Sequence, residues 1–168
     1  IETLVASGEL LREEIVVVSK AGYLQGQNFA LSQQRKREGR PFPELVQYGE
    51  GLEHCIHPDF LADQLDRSLD RLRLETLDLF LLHNPEYYLD WAAKQGIRLK
   101  EARKIFYQRI RKAFEHLEKE VENGRIRFYG ISSNSFPEGA DTAGFVSLET
   151  VWELAEAISP RHHFRVVQ

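Results

Sequence analysis

The run Leu77-Asp78-Leu79-Phe80-Leu81-Leu82, with His83 directly after it, is the stretch on which the fold turns. It is nearly continuous in large apolar side chains rather than alternating, which is the pattern of a parallel strand covered on both faces. Similar short runs occupy residues 15–19, 126–132 and 164–167. Between these runs the apolar spacing becomes helical. Leu61, Leu65, Leu69 and Leu72 follow His57-Pro58-Asp59, where proline suits a first helical position and aspartate suits the helix dipole. Phe106, Ile110, Ala113, Phe114, Leu117 and Val121 mark one face of a longer helix, and Asn123-Gly124 supplies a left-handed stop. Leu148, Val151, Trp152 and Ala155 mark a weaker helix before Pro160, and Ile1, Leu4 and Val5 open the chain in a helical pattern.

The resulting alternation of helix and strand predicts an α/β fold with a parallel sheet, either closed as a barrel or open and doubly wound. Two long connections, over about residues 21–57 and 85–99, both follow strands. They emerge at the carboxyl ends of the sheet, where ligands bind in either arrangement. The open arrangement predicts a glycine-rich turn after the first strand, but Lys20-Ala21-Gly22-Tyr23 lacks that spacing. The chain has no methionine, opens in a helix and ends in a strand-like run, so residues 1–168 read as one incomplete domain.

Composition narrows the function classes. The apolar fraction of 42%, the charged fraction of 29% and the net charge of −4 are ordinary for a globular protein of this size. Acidic and basic residues are interleaved, so no basic stripe suits nucleic acid, and no apolar run is long enough to span a membrane. The densest basic stretch, Arg35-Lys36-Arg37 with Arg40, reads as the solvated face of a polar loop. The single cysteine, Cys55, excludes an internal disulfide and fits a reducing, cytoplasmic setting. Cys55 with His54 and His57 falls short of a zinc site, so these read as a loop thiol with surface or capping histidines and no metal is expected.

The strand ends carry the candidate chemistry. Lys20 ends the first run and His83 the second, Ser132-Ser133-Asn134 close the third, and Gln168 ends the fourth. Each has a bland explanation when taken singly: a snorkelling lysine, a turn histidine, ordinary loop hydroxyls. Together they place an amine, an imidazole, hydroxyls and amides on one rim.

Residues 68–85, SLDRLRLETLDLFLLHNP, closely resemble the aldo-keto reductase signature around the fourth barrel strand. Residues 117–132, LEKEVENGRIRFYGIS, are similar to that family's run into strand five, and residues 16–20 to its strand three ending in lysine. The resemblance implies strands three to six of a (β/α)8, or TIM, barrel, hence a partial barrel. It implies an NADP(H)-dependent oxidoreductase that reduces a small-molecule carbonyl, whether aldehyde, ketone or sugar. In such enzymes a cation lowers the pKa of a tyrosine that protonates the alkoxide. The resemblance casts Lys20 as that cation and His83 as the group orienting the substrate oxygen. Ser132, one of Ser133 or Asn134, and Gln168 would hold the nicotinamide carboxamide.

The family's catalytic aspartate and tyrosine have no counterpart between residues 1 and 168, so the segment alone is expected to be inactive. Tyr23, three residues past Lys20, reads as a generic exposed loop tyrosine rather than a substitute. Two further expectations remain. The same barrel can serve as a non-catalytic binding or regulatory subunit, with Phe29, Phe42, Leu45, Val46 and Tyr48 as a docking surface. Open sheet edges also predict self-association.

Overall fold

The computed structural model describes residues 2–168. A parallel sheet of four strands forms its frame, in the order β1 (Val18–Ala21), β5 (Leu77–His83), β6 (Ile126–Ser132) and β7 (Phe164–Val167). Helices α3 (Pro58–Leu72), α5 (Leu99–Glu122) and α6 (Leu148–Ile158) connect these strands in sequence. This is an arc of a (β/α)8 barrel: parallel strands inside, helices outside. A short helix α1 (Glu2–Ala6) opens the described chain. The expected helix also included Ile1, which lies outside the described residues.

Local signals account for the helix ends. The ring Nδ1 of His57 accepts the Asp59 N–H at 3.2 Å and Pro58 takes the first helical position of α3. The Ser147 hydroxyl accepts the Thr150 N–H at 3.1 Å to start α6. Gly124, at φ +73°, turns the chain out of α5 and into β6. On their inner faces, Phe60, Leu61 and Leu65 of α3 join Phe106, Ile110, Phe114 and Leu117 of α5 against Phe80, Leu82, Tyr129 and Ile131 of the sheet. The Phe114 ring lies 4.9 Å from Tyr129 and 5.2 Å from Phe164.

β1 departs from the expectation of a strand over 15–19. The parallel ladder begins at Val18, paired with Leu79, and runs to Ala21, so Lys20 lies within the strand. Upstream, Val16 is 72% exposed, and the Asp78 carboxylate holds the approach to the strand. It accepts the Val17 N–H at 2.8 Å and pairs with Arg12 at 2.8 Å and Arg127 at 3.0 Å. These three partners hold the Asp78 carboxyl below its ordinary range against the opposing effect of burial.

The two connections expected as loops are instead folded. Residues 21–57 contain β2 (Tyr23–Leu24), α2 (Gln27–Arg37), β3 (Val46–Gly49) and β4 (Leu52–His54), and the strands form an antiparallel sheet in the order β2-β4-β3. The connection after β5 holds α4 (Tyr87–Lys94). Buried Glu53 pins α2 to this small sheet, accepting from Ser32 at 2.5 Å and Gln33 at 2.9 Å and pairing with Lys36. The basic stretch therefore belongs to a helix end rather than a loop, with Arg35 lying 4.2 Å over the Phe42 ring.

Replacing Phe114 by alanine removes a ring enclosed by two aromatic neighbours and is expected to cost about 3–5 kcal/mol in urea unfolding. Glu153→Ala, on the exposed face of α6, is expected to cost under about 1 kcal/mol.

Candidate active site

Strand pairing decides which side chains meet. Residues opposed in neighbouring strands point to the same face, and faces alternate along each strand. Lys20 opposes Leu81, Leu81 opposes Gly130, and Gly130 opposes Val166. One step further along, His83 opposes Ser132. All of these lie on the concave face, away from the helices. Gly130 permits the tight approach of β7, since a Cβ there would stand 2.0 Å from the Val166 carbonyl oxygen.

Lys20 and Gln168 meet across this face. The Lys20 ammonium donates to Gln168 Oε1 at 2.6 Å, joining the ends of the two outermost strands. Three flat strand spacings would separate those backbones by roughly 14 Å, so two long side chains span the concavity. An ammonium group only donates, so the Gln168 carbonyl oxygen faces it and the amide NH2 is left to point elsewhere. The ladder continues past β7, with Ser133 N–H donating to the Gln168 carbonyl at 2.9 Å.

His83 is half-buried at the end of β5. Burial pushes its imidazole below the ordinary histidine pKa and the Lys20 charge pushes it the same way, so the ring is neutral at pH 7. Asn84 follows in the left-handed region at φ 48°, a conformation that asparagine tolerates, and its N–H donates to the Ser132 carbonyl at 2.7 Å. The chain thus turns sharply just after the histidine.

The three polar residues after β6 separate in environment. Ser132 and Ser133 are buried, whereas Asn134 is exposed. The Ser133 hydroxyl shares a hydrogen bond with Ser135 at 3.1 Å, while the Asn134 N–H donates to Glu86 Oε1 at 3.0 Å. Glu86 is itself buried, and burial pushes its carboxyl up, while hydrogen bonding with Ser133 and the Asn134 N–H acts the other way. This carboxylate fastens the turn after β5 to the turn after β6.

Tyr23 is not a free loop residue. Its ring meets His83 edge-on at 4.6 Å and Tyr87 at 5.2 Å, and Tyr87 stacks on Tyr48 at 3.9 Å. Burial, then a hydrogen bond with Tyr87, raises the Tyr23 phenol far above its ordinary value. Tyr48 is pushed up to about 12 by burial and by the Asp90 carboxylate that accepts its hydroxyl at 3.1 Å. Neither phenol is prepared to release a proton near neutral pH.

Sequence reasoning missed two residues of this rim. His54 was expected as a surface or capping histidine, yet it is 2% exposed and its Nε2 lies 2.7 Å from the His83 carbonyl oxygen. Cys55 beside it is also buried, its thiol pushed up to about 12 by desolvation. Glu86 carried a signal in being an acid directly after a strand-end His-Asn-Pro. His54 carried none, because a strand of three residues shows no periodicity. Among the described residues no group of His, Cys, Asp and Glu is arranged to hold a metal, and no helix is long and apolar enough to cross a membrane.

Burial pushes His54 down to about 4 from 6.5, so the folded state binds its proton less readily than the unfolded chain. Stability from this group is complete above pH 6.5 and falls as pH drops towards 4, by about 3 kcal/mol in all. Urea midpoints between pH 7 and 4 should fall more steeply for the wild type than for His54→Gln.

The Aldo/keto reductase family model matches residues 3–168. No curated protein matches the chain. Among solved structures, the chain is similar to the aldo-keto reductase AKR11C1 from Bacillus halodurans (holo form), at 20% identity and a TM-score of 0.45, over 77% of this chain and 30% of that one. It is also similar to the glycerol dehydrogenase AKR11B4 from Gluconobacter oxydans, at 20% identity and a TM-score of 0.37, over 76% of this chain and 34% of that one. The chain therefore spans about a third of the length of these structures.

Proposed function

Because the chain belongs to the aldo/keto reductase family, we propose that it carries the Lys20 and His83 side of an oxidoreductase site that reduces an aldehyde, ketone or sugar carbonyl with NADPH. The observation that carries this reading is the Lys20–Gln168 bond on the same rim and face as His83 and Ser132.

The residues present fit a nicotinamide carboxamide. That group offers one acceptor and one NH2. Gln168, with its oxygen taken by Lys20, has its own NH2 to give, and Ser132 supplies a buried hydroxyl on the same face. Asn134 would take the remaining position, since the Ser133 hydroxyl is engaged with Ser135. NADPH, when bound, supplies the hydride. The neutral His83 ring donates to the substrate oxygen and holds the charge that develops there. Lys20 adds positive charge beside that oxygen. The proton that completes the alcohol would come from the family's tyrosine, which has no counterpart between residues 1 and 168; Tyr23, its phenol raised by burial and by Tyr87, is a poorer donor.

The docking surface named for the rival reading, a non-catalytic binding or regulatory subunit, offers little apolar area. Phe42 and Val46 are buried within the chain's own core, and Phe29, Leu45 and Tyr48 are partly buried.

With NADPH and a reactive aldehyde, the 168-residue chain alone is expected to show no turnover above background. Turnover that Tyr23→Phe abolishes would overturn that assignment of the proton. Placed within a complete family barrel, Lys20→Met and His83→Ala should each lower kcat/KM on the order of a hundredfold or more; full activity in either variant would refute the reading.

We also propose self-association of the chain. The outer edges of β1 and β7 are unpaired among the described residues, and Val16, Val18, Phe128 and Val167 are exposed apolar side chains. Light scattering should give a mass above that of one chain; a monomer with little dye-binding surface would contradict this.

A further inference from the structure

We propose that His54 is a positioning residue for His83: its buried ring N–H grips the His83 carbonyl and so sets where the His83 imidazole stands in the reaction proposed above. The role rests on that reading, but the contact itself does not.

The argument begins at the point where β1 leaves the sheet. The last pair of its ladder is Ala21 with Leu82, so the backbone of His83 lies one residue beyond it. Gly22 turns the chain away, and the space it leaves is filled by the His54 ring. A Cβ on Gly22 would stand 2.3 Å from the His83 carbonyl oxygen and 2.7 Å from His54 Nε2, so only glycine admits this approach. The carbonyl accepts from Nε2 at 2.7 Å. Since a carbonyl only accepts, the proton must sit on Nε2, which fixes the ring's hydrogen. Burial keeps the ring neutral at pH 7.

His54 is held stiffly enough to act as an anchor. It opposes Tyr23 in the β2–β4 ladder, and the next residue, Cys55, donates its N–H to the Gly22 carbonyl at 2.9 Å. On its other side lies buried Glu53, bound to Ser32 and Gln33 of α2. The small antiparallel sheet thus holds His83 twice: His54 takes its backbone, and the Tyr23 ring lies edge-on to its imidazole at 4.6 Å. Just beyond, Asn84 is left-handed and bonded to Ser132, so the grip on the His83 carbonyl fixes the last peptide before the turn.

Histidine-selective 15N NMR on the 168-residue chain tests the contact without requiring turnover. The wild type should show His54 as the Nε2–H tautomer, protected from exchange, with a single sharp His83 ring resonance. His54→Leu removes the donor and should split or broaden that resonance, while His54→Gln, which retains an N–H, should restore it. In a complete barrel carrying the chain, His54→Leu should lower kcat on the order of tenfold, with KM for NADPH within about twofold and recovery in His54→Gln. An Nδ1–H tautomer in the wild type, or a folded His54→Leu chain with the His83 resonance unchanged, overturns the proposal. Should His54→Leu not fold, the wild-type tautomer and exchange decide alone. If the resonances behave as expected but no barrel turns over, the catalytic reading fails and the contact stands.

Discussion

The parallel register between β5 and β6 governs the arrangement at the carboxyl end of the sheet. By opposing Leu81 to Gly130 and His83 to Ser132, it puts an imidazole and a hydroxyl side by side on the concave face. β1 then adds Lys20 from one side and β7 adds Gln168 from the other, and the amine and the amide meet. A slip of one residue in either pairing would send the chemistry-bearing side chains to the helix face, where Phe80, Leu82, Tyr129 and Ile131 now fill the core. The same apolar packing that stabilises the fold therefore selects the register that assembles the site.

The two ends of the sheet do different work. At the amino end, Asp78 collects Arg12, Arg127 and the Val17 N–H into one charge-assisted cluster that starts the edge strand. At the carboxyl end, buried groups hold turns instead. Glu86 reaches from the turn after β5 to the backbone of Asn134, and His54 reaches from the folded connection to His83. Buried polar groups are costly unless paired, and both of these bridges give a buried side chain a backbone partner.

Much of this was legible in the sequence, for physical reasons that are specific to each element. The run over 126–132 became β6 residue for residue, and the leucine spacing from Leu61 to Leu72 became α3, because continuous apolar runs and helical periodicity both record burial. His83 and Ser132 do end their strands and Gln168 follows directly on the last, whereas Lys20, read as a strand end, lies one residue inside β1. The folded connection over 21–57 was not legible. Its strands are two to four residues long, and α2 carries polar residues on every side, held by Glu53 rather than by an apolar stripe. His54 was hidden for the same reason: a histidine beside a cysteine and a second histidine reads as surface chemistry until the sheet that buries it is seen.

The irregularity in β7 has a consequence of parity. Phe164 opposes Tyr129 and Val166 opposes Gly130, so Arg165 is counted out of the ladder. Were all five residues from Phe164 to Gln168 laid in regular alternation, Phe164 and Gln168 would share a side, and the amide would be buried among aromatic rings. One uncounted residue inverts odd and even for the rest of the strand, and the terminal glutamine is thereby turned from the hydrocarbon side of the wall to the side where the lysine waits.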